Sequence, residues 1–181
     1  MKEFDENIRI ETDHLLLRFL EEGDAKAIFD NINHDKEVLK YYITDYVEDF
    51  ENFSLEKMIE AFRQTRKYIL AIVLKESGEV IGNILQCNGT NRYMNTVEVG
   101  YAIGKKYWNK GYMSEALKAM IDLLFESGVH KVNACHIPEN IASGRVMEKC
   151  GMKYEGRKID DLFYHGRYWD TLNYYIINKE V

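Results

Sequence analysis

The segment Tyr68-Ile-Leu-Ala-Ile-Val-Leu is apolar at every position, so both faces of any strand it forms are apolar. Such a strand is stable only in a sheet covered on both sides. Around it the hydrophobic period switches repeatedly between the strand and helix values. Strand-like stretches fall at residues 15–20, 68–74, 80–87, 96–103, 131–137, 154–159 and 169–177. Helical patterns fall at 25–32, 55–64, 114–127 and 141–150. The third is the clearest: Leu117, Met120, Ile121 and Leu124 form one apolar stripe that faces a sheet. Gly128 and Gly151 stand where the third and fourth helices should stop. The resulting order, β-α-α-β-β-β-α-β-α-β-β, predicts a mixed sheet with helices packed against it. At 181 residues the chain fits a single domain spanning 1–181.

Net charge is −6 and the basic residues are scattered, which argues against a nucleic-acid surface. Cys87, Cys135 and Cys150 lie far apart without paired spacing, so they read as reduced thiols and not as a zinc site or a disulfide framework. The opening residues 1–7 are charged and lack the apolar core of a signal peptide. No run reaches the roughly 18 apolar residues of a membrane helix. A cytoplasmic location, with neither membrane nor metal as a partner, is the expectation. Residues 41–53 have no clean period; Asp45, Glu48, Asp49 and Glu51 lie there among aromatics, as in a solvated acidic loop or a substrate lid.

The stretch 97–117 carries the most chemical information. A strand ends near Ile103, a short loop follows, and an amphipathic helix begins at about Gly111. A helix start offers amides without intrahelical partners and the positive end of the helix dipole. Asn109, Lys110, Gly111, Tyr112, Met113 and Ser114 are therefore a candidate cradle for a pyrophosphate, with Lys105 and Lys106 adding charge nearby. The spacing is neither that of a Walker loop nor that of a dinucleotide fingerprint, and an ordinary strand-to-helix turn has the same composition. In the preceding strand, parity puts Val97, Val99, Tyr101 and Ile103 on one face. Glu98, Gly100 and Ala102 take the other, where a carboxylate ahead of two small residues should leave an open groove.

These residues resemble the GNAT superfamily of N-acetyltransferases, in the branch of ribosomal-protein N-terminal and spermidine acetyltransferases. Four pieces carry the resemblance in order. They are Glu11-Thr-Asp-His-Leu-Leu-Leu-Arg; Glu98-Val-Gly-Tyr with Tyr107-Trp-Asn-Lys-Gly-Tyr-Met-Ser-Glu-Ala; His136-Ile-Pro-Glu-Asn-Ile-Ala-Ser with Glu148-Lys-Cys-Gly-Met and Glu155-Gly; and Gly166-Arg-Tyr-Trp-Asp. The departures are His14 where an arginine is usual, Trp108 and Met113 within the glycine motif, and Gly144 inside the fourth helix. The resemblance implies an α/β (α+β) fold: a mixed, largely antiparallel sheet of about seven strands with a splayed central pair and about four flanking helices. It implies acetyl-CoA as co-substrate, lying where strands 96–103 and 131–137 part. Main-chain groups of Tyr101, Ala102 and Ile103 would meet the pantetheine arm, residues 109–114 the pyrophosphate, and Asn140 and Ser143 the rest of the coenzyme.

Acetyl transfer needs a neutral amine, stabilisation of an oxyanion and a proton for the departing thiolate. The base nominated from position is Glu98, acting through water. Amides near Tyr101–Ala102 are the nominated oxyanion donors. Ser143 is the first choice of acid and Tyr154 the second, although Asn140 and Ser143 also suit an ordinary helix cap. His136 suits a structural role on a buried strand, and no motif sets a histidine beside Cys135 or Cys150, so direct transfer in a ternary complex is preferred to an acyl-cysteine. The acceptor expected first is a protein N-terminal α-amine. A polyamine or other small amine is the alternative, and a CoA-binding module without catalysis or a nucleotide-binding protein are the rivals. The resemblance admits a homodimer; the sequence itself sets no oligomeric state.

Overall fold

The computed structural model describes residues 5, 7–88 and 94–179, so most of the charged opening segment lies outside the described residues. Its centre is an eight-stranded sheet in the order β1-β2-β3-β4-β5-β6-β8-β7. The strands are β1 Arg9–Glu11, β2 Leu15–Phe19, β3 Ile69–Leu74, β4 Glu79–Gln86, β5 Thr96–Ile103, β6 Lys131–His136, β7 Lys153–Tyr164 and β8 Arg167–Ile177. The helices are α1 Ala25–Ile28, α2 Leu55–Thr65, α3 Tyr112–Glu126 and α4 Ile141–Lys149. All neighbouring strands pair antiparallel except β5 and β6, which run parallel.

β3 explains why the sheet has two covered faces. Leu70, Ile72 and Leu74 pack into the core under α3 and α4, with Leu117, Met120 and Leu124. Ile69, Ala71 and Val73 pack into a second core with Ile28, Ile32 and Leu55 of the α1–α2 side. Both helix stops fall where expected, at Gly128 and Gly151, each at positive φ.

Three elements depart from expectation. β1 adds an eighth strand; its three residues are too short for a period to register. The helix expected over 25–32 is α-helical only to Ile28 and continues as a wider π turn, Phe29–Asn33, in which the His34 amide donates to Phe29 O at 2.9 Å. β7 runs to Tyr164, well past residue 159, with ladder irregularities on both sides of Lys158. Among the described residues no helix is long and apolar enough to cross a membrane.

The candidate active site

The parallel β5–β6 ladder holds for only three registered pairs, ending at Glu98 opposite Asn133. Beyond it β5 continues to Ile103 beside β4 and β6 continues to His136 beside β8, so the strands part. The Cys87 amide donates to Glu98 O at 2.8 Å and the Gly104 amide to Ile81 O at 2.9 Å. These bonds set the phase of the antiparallel ladder: even-numbered residues of β5 exchange hydrogen bonds with β4 and odd-numbered ones turn toward the gap. The peptide groups of Tyr101 and Ile103 therefore line the gap, whereas those of Ala102 are engaged with Asn83. One gap-facing acceptor is occupied, since the Trp108 indole N–H donates to Ile103 O at 2.8 Å.

At the end of the gap the chain turns into α3. Asn109 and Gly111 both lie at positive φ, 60° and 88°, with Lys110 between them. Gly111 is the helix N-cap, and its left-handed backbone would strain any side chain although nothing lies within 4 Å of its Cβ position. Gly111 has no side chain to cap this helix, so the amides of its first turn are left for an outside acceptor, as an anion-binding nest requires. Met113 does not narrow the loop: its side chain is buried in the core. Lys106 is held by Glu79 at 2.6 Å, which turns one of the expected cations away from the loop. Glu115, in the same first turn, accepts from the Thr12 hydroxyl at 2.5 Å and from the His14 amide at 2.8 Å, and its other oxygen meets His14 Nδ1 at 3.0 Å. Burial opposes ionisation of Glu115, but these hydrogen bonds outweigh it and hold the carboxyl below its ordinary pKa. His14 thus fastens the β1–β2 turn to the base of the loop.

The two faces of the gap differ in chemistry. On the α3–α4 face, Tyr101 crosses to α4, where its hydroxyl lies 2.9 Å from Ser143 Oγ and donates to Ser143 O at 3.2 Å. Burial pushes the Tyr101 phenol up, against the opposing hydrogen bond to Ser143, so it stays protonated. Asn140 caps α4 by accepting the Ser143 amide at 3.3 Å. Tyr154 is outside this group: β7 is separated from β6 by β8, and its half-exposed ring stands edge-on to Tyr174 at 5.7 Å. The tyrosine hydroxyl beside Ser143 belongs to Tyr101, which the sequence singled out for its main chain alone.

Gly144 has a structural explanation. A Cβ there would come within 2.8 Å of His136 Nε2, in a buried ring whose Nδ1 is 2.8 Å from Ile137 O. Close approach of His136 requires the glycine. Gly144→Ala would gain about 1 kcal/mol of helix propensity and incur about 1–3 kcal/mol of overpacking. The expected net loss of about 1 kcal/mol is read as a melting temperature roughly 2–4 °C lower. A variant melting above the parent would contradict this account.

On the opposite face lie Glu98, Gly100 and Ala102, as parity requires, but the groove expected over the small residues is filled. A Cβ on Gly100 would come within 3.0 Å of Cys87 Sγ, and Ala102 is buried in the second core. At the vertex Cys135 Sγ lies 3.9 Å from Glu98 Oε1 and the Glu98 amide donates to Asn88 Oδ1 at 2.7 Å. The Cys87 residue is exposed overall, with its sulfur set against Gly100. Burial, and then the charge of Glu98, push the Cys87 and Cys135 thiols up to about 12. Burial likewise raises Cys150 to about 11.

Residues 41–53 flank this face. The Tyr42 hydroxyl donates to buried Asn83 Oδ1 at 3.1 Å. Tyr164 of the β7–β8 hairpin brings its hydroxyl to 3.0–3.1 Å of the carbonyls of Leu39, Tyr42 and Thr44. Asp45, Glu48, Asp49 and Glu51 are exposed. Among the described residues no three His, Cys, Asp or Glu side chains converge as a metal site.

Comparison with known proteins agrees with this geometry. Residues 14–153 match the family described as the acetyltransferase (GNAT) domain. The solved structure of an acetyltransferase (GNAT family) from Bacillus anthracis is 30% identical, with a TM-score of 0.81 over 94% of this chain and 98% of that one. The chain is 26% identical over 169 residues to the ribosomal protein uS5-alanine N-acetyltransferase of Escherichia coli, covering 90% of this chain and 87% of the relative. It is 25% identical over 169 residues to the spermidine N(1)-acetyltransferase of Vibrio cholerae, covering 92% and 94% respectively.

Proposed function

This chain belongs to the GNAT acetyltransferase family and is an N-acetyltransferase; from that premise we propose that it moves the acetyl group of acetyl-CoA directly to a protein N-terminal α-amine. The observation that carries the proposal is the gap itself. Its edge offers peptide groups of Tyr101 and Ile103, an anion nest closes one end, a carboxylate stands on one face and a hydroxyl pair on the other.

The fit to the coenzyme follows from these parts. Tyr101 and Ile103 supply strand-edge groups suited to the amides of a pantetheine arm. Residues 109–114 supply convergent amides for the pyrophosphate, and Asn140 and Ser143 flank the reactive end. The bound thioester provides an activated acetyl group. Glu98 accepts the proton of the incoming amine, through water. The Tyr101 N–H stabilises charge developing on the carbonyl oxygen. Ser143, backed by the Tyr101 hydroxyl, returns a proton to the departing sulfur. The amine's nitrogen–carbon bond forms as the carbon–sulfur bond breaks, and solvent restores both side chains.

Direct transfer is supported by the cysteines. A thiol raised to about 12 is thiolate in roughly one molecule in 10⁵ at pH 7, a poor nucleophile beside the carboxylate of Glu98. The α-amine is favoured because its pKa, about 7.7–8, leaves a large neutral fraction for a single carboxylate to assist. The polyamine reading keeps support of its own, because the exposed acids of residues 45–51 adjoin the same face as Tyr42.

The test is thiol release from acetyl-CoA with Ala- and Ser-initiated peptides, spermidine and free amino acids. Turnover with the peptides is expected. Turnover with spermidine alone would replace the acceptor. CoA-induced thermal stabilisation without turnover on any amine would leave a binding module.

A further inference from the structure

Tyr42 is bonded to both sides of the gap. Its hydroxyl donates to Asn83 Oδ1 of β4 at 3.1 Å, and its carbonyl accepts from the Tyr164 hydroxyl of β7 at 3.0 Å. β4 lies on the β5 side of the gap and β7 on the β6 side. Asn83 stands opposite Ala102 in the β4–β5 ladder, so the Tyr42 contact falls on the face that Glu98 shares. Tyr164 holds more than this one residue, because the same hydroxyl reaches Leu39 O and Thr44 O at 3.1 Å. A hydroxyl has one hydrogen to donate, so three converging carbonyls gather residues 39–44 around a single point. Burial pushes the Tyr164 phenol up against the opposing bond to Thr44, and the hydroxyl keeps its hydrogen at neutral pH. Just beyond, Asn33 Nδ2 donates to Asp45 O at 3.2 Å and the Val47 amide to Asn33 O at 2.9 Å, which moors the segment to the helical layer as well.

We infer that residues 39–44 form a tie across the acceptor side of the gap, with Tyr42 and Tyr164 as positioning residues for the incoming amine. The inference rests on the acetyl-transfer reading. The two substrates then meet the gap from different sides. The amides of residues 109–114 and the Tyr101–Ser143 hydroxyl pair, assigned to the coenzyme, belong to the α3–α4 side. Glu98 and the tie belong to the other. The β5–β6 ladder stops at Glu98, so backbone pairing sets no separation between these strands beyond it. Tyr42, bonded to both sides, does. The tie thus fixes the width left to an amine approaching Glu98, and its own hydrogen bonds go to none of the groups assigned to the coenzyme. Neither tyrosine moves a proton; both act through the position of the segment they hold.

The experiment measures KM for the best amine of the panel and for acetyl-CoA separately, by thiol release with the full chain. Tyr164→Phe and Tyr42→Phe each remove one hydroxyl and keep the ring, so either serves if the other fails to fold. Each should raise the amine KM about threefold to tenfold, the worth of one hydrogen bond, and leave the KM for acetyl-CoA where it was. A merely structural role would lower the melting temperature without dividing the two KM values in this way. Either loss releases the same tie, so the double variant should be no worse than the worse single, whereas independent effects would multiply. An unchanged amine KM in a folded single variant would overturn the inference and leave acetyl transfer standing. So would an equal rise in both KM values, or a double variant whose effects multiply. Wild-type silence on every amine would overturn both readings.

Discussion

Replacing Glu98 with glutamine should lower turnover by about 10²–10⁴-fold, the usual contribution of a positioned general base. Glutamine keeps the size of the side chain and its amide can still face the vertex, so the fold and coenzyme binding should be preserved. CoA should raise the melting temperature of the variant as much as it does the parent's. The pH–rate profile is the sharper readout, because the limb that reports ionisation of the base should vanish in the variant. Full turnover across pH would remove Glu98 from the mechanism. The candidate base would then have to be sought among groups near the vertex, where Cys87 and Cys135 are held protonated.

The other large effect concerns the support of the gap. Leu117 is fully buried in the core that α3 shares with β2, β3, β4 and β5. Leu117→Ala should cost about 2–5 kcal/mol, the spread depending on how far the surroundings collapse. For a chain of 181 residues that corresponds to a melting temperature roughly 4–20 °C lower, measured by thermal unfolding. The same helix presents the proposed pyrophosphate cradle at its N-terminus, so coenzyme affinity should fall with stability. A variant that melts within 1 °C or so of the parent would show that α3 is not the principal cover of this face.

The parts of the fold that are legible in the sequence are those governed by periodicity. β3 announces two covered faces because both its parities are apolar, and α3 announces its stripe because Leu117, Met120 and Leu124 recur at helical spacing. β7 is not legible to its end. Most of its residues are exposed, so no alternation of buried and solvated positions extends along it. The candidate site is legible as main chain and caps, since glycines and a helix start leave local signatures. It is not legible as long-range contact. The Tyr101 hydroxyl meets Ser143 across 42 positions of sequence, and His136 meets Gly144 only because β6 and α4 pack together.

The short β5–β6 ladder has a mechanical consequence. Strands β1 to β5 and strands β6 to β8 are two half-sheets sewn together by three rungs, with α3 packed on the first half, α4 on the second, and the two helices in contact with each other. Elsewhere in the sheet a strand break would open a core; here the seam is left unsewn, and the unpaired strand edge is the place a ligand's own amides can enter. A coenzyme bound there, as proposed, would complete the stitching, so ligand occupancy and cohesion of the two halves would be one variable. Affinity in such a fold is partly a measure of how much the seam gains from being closed.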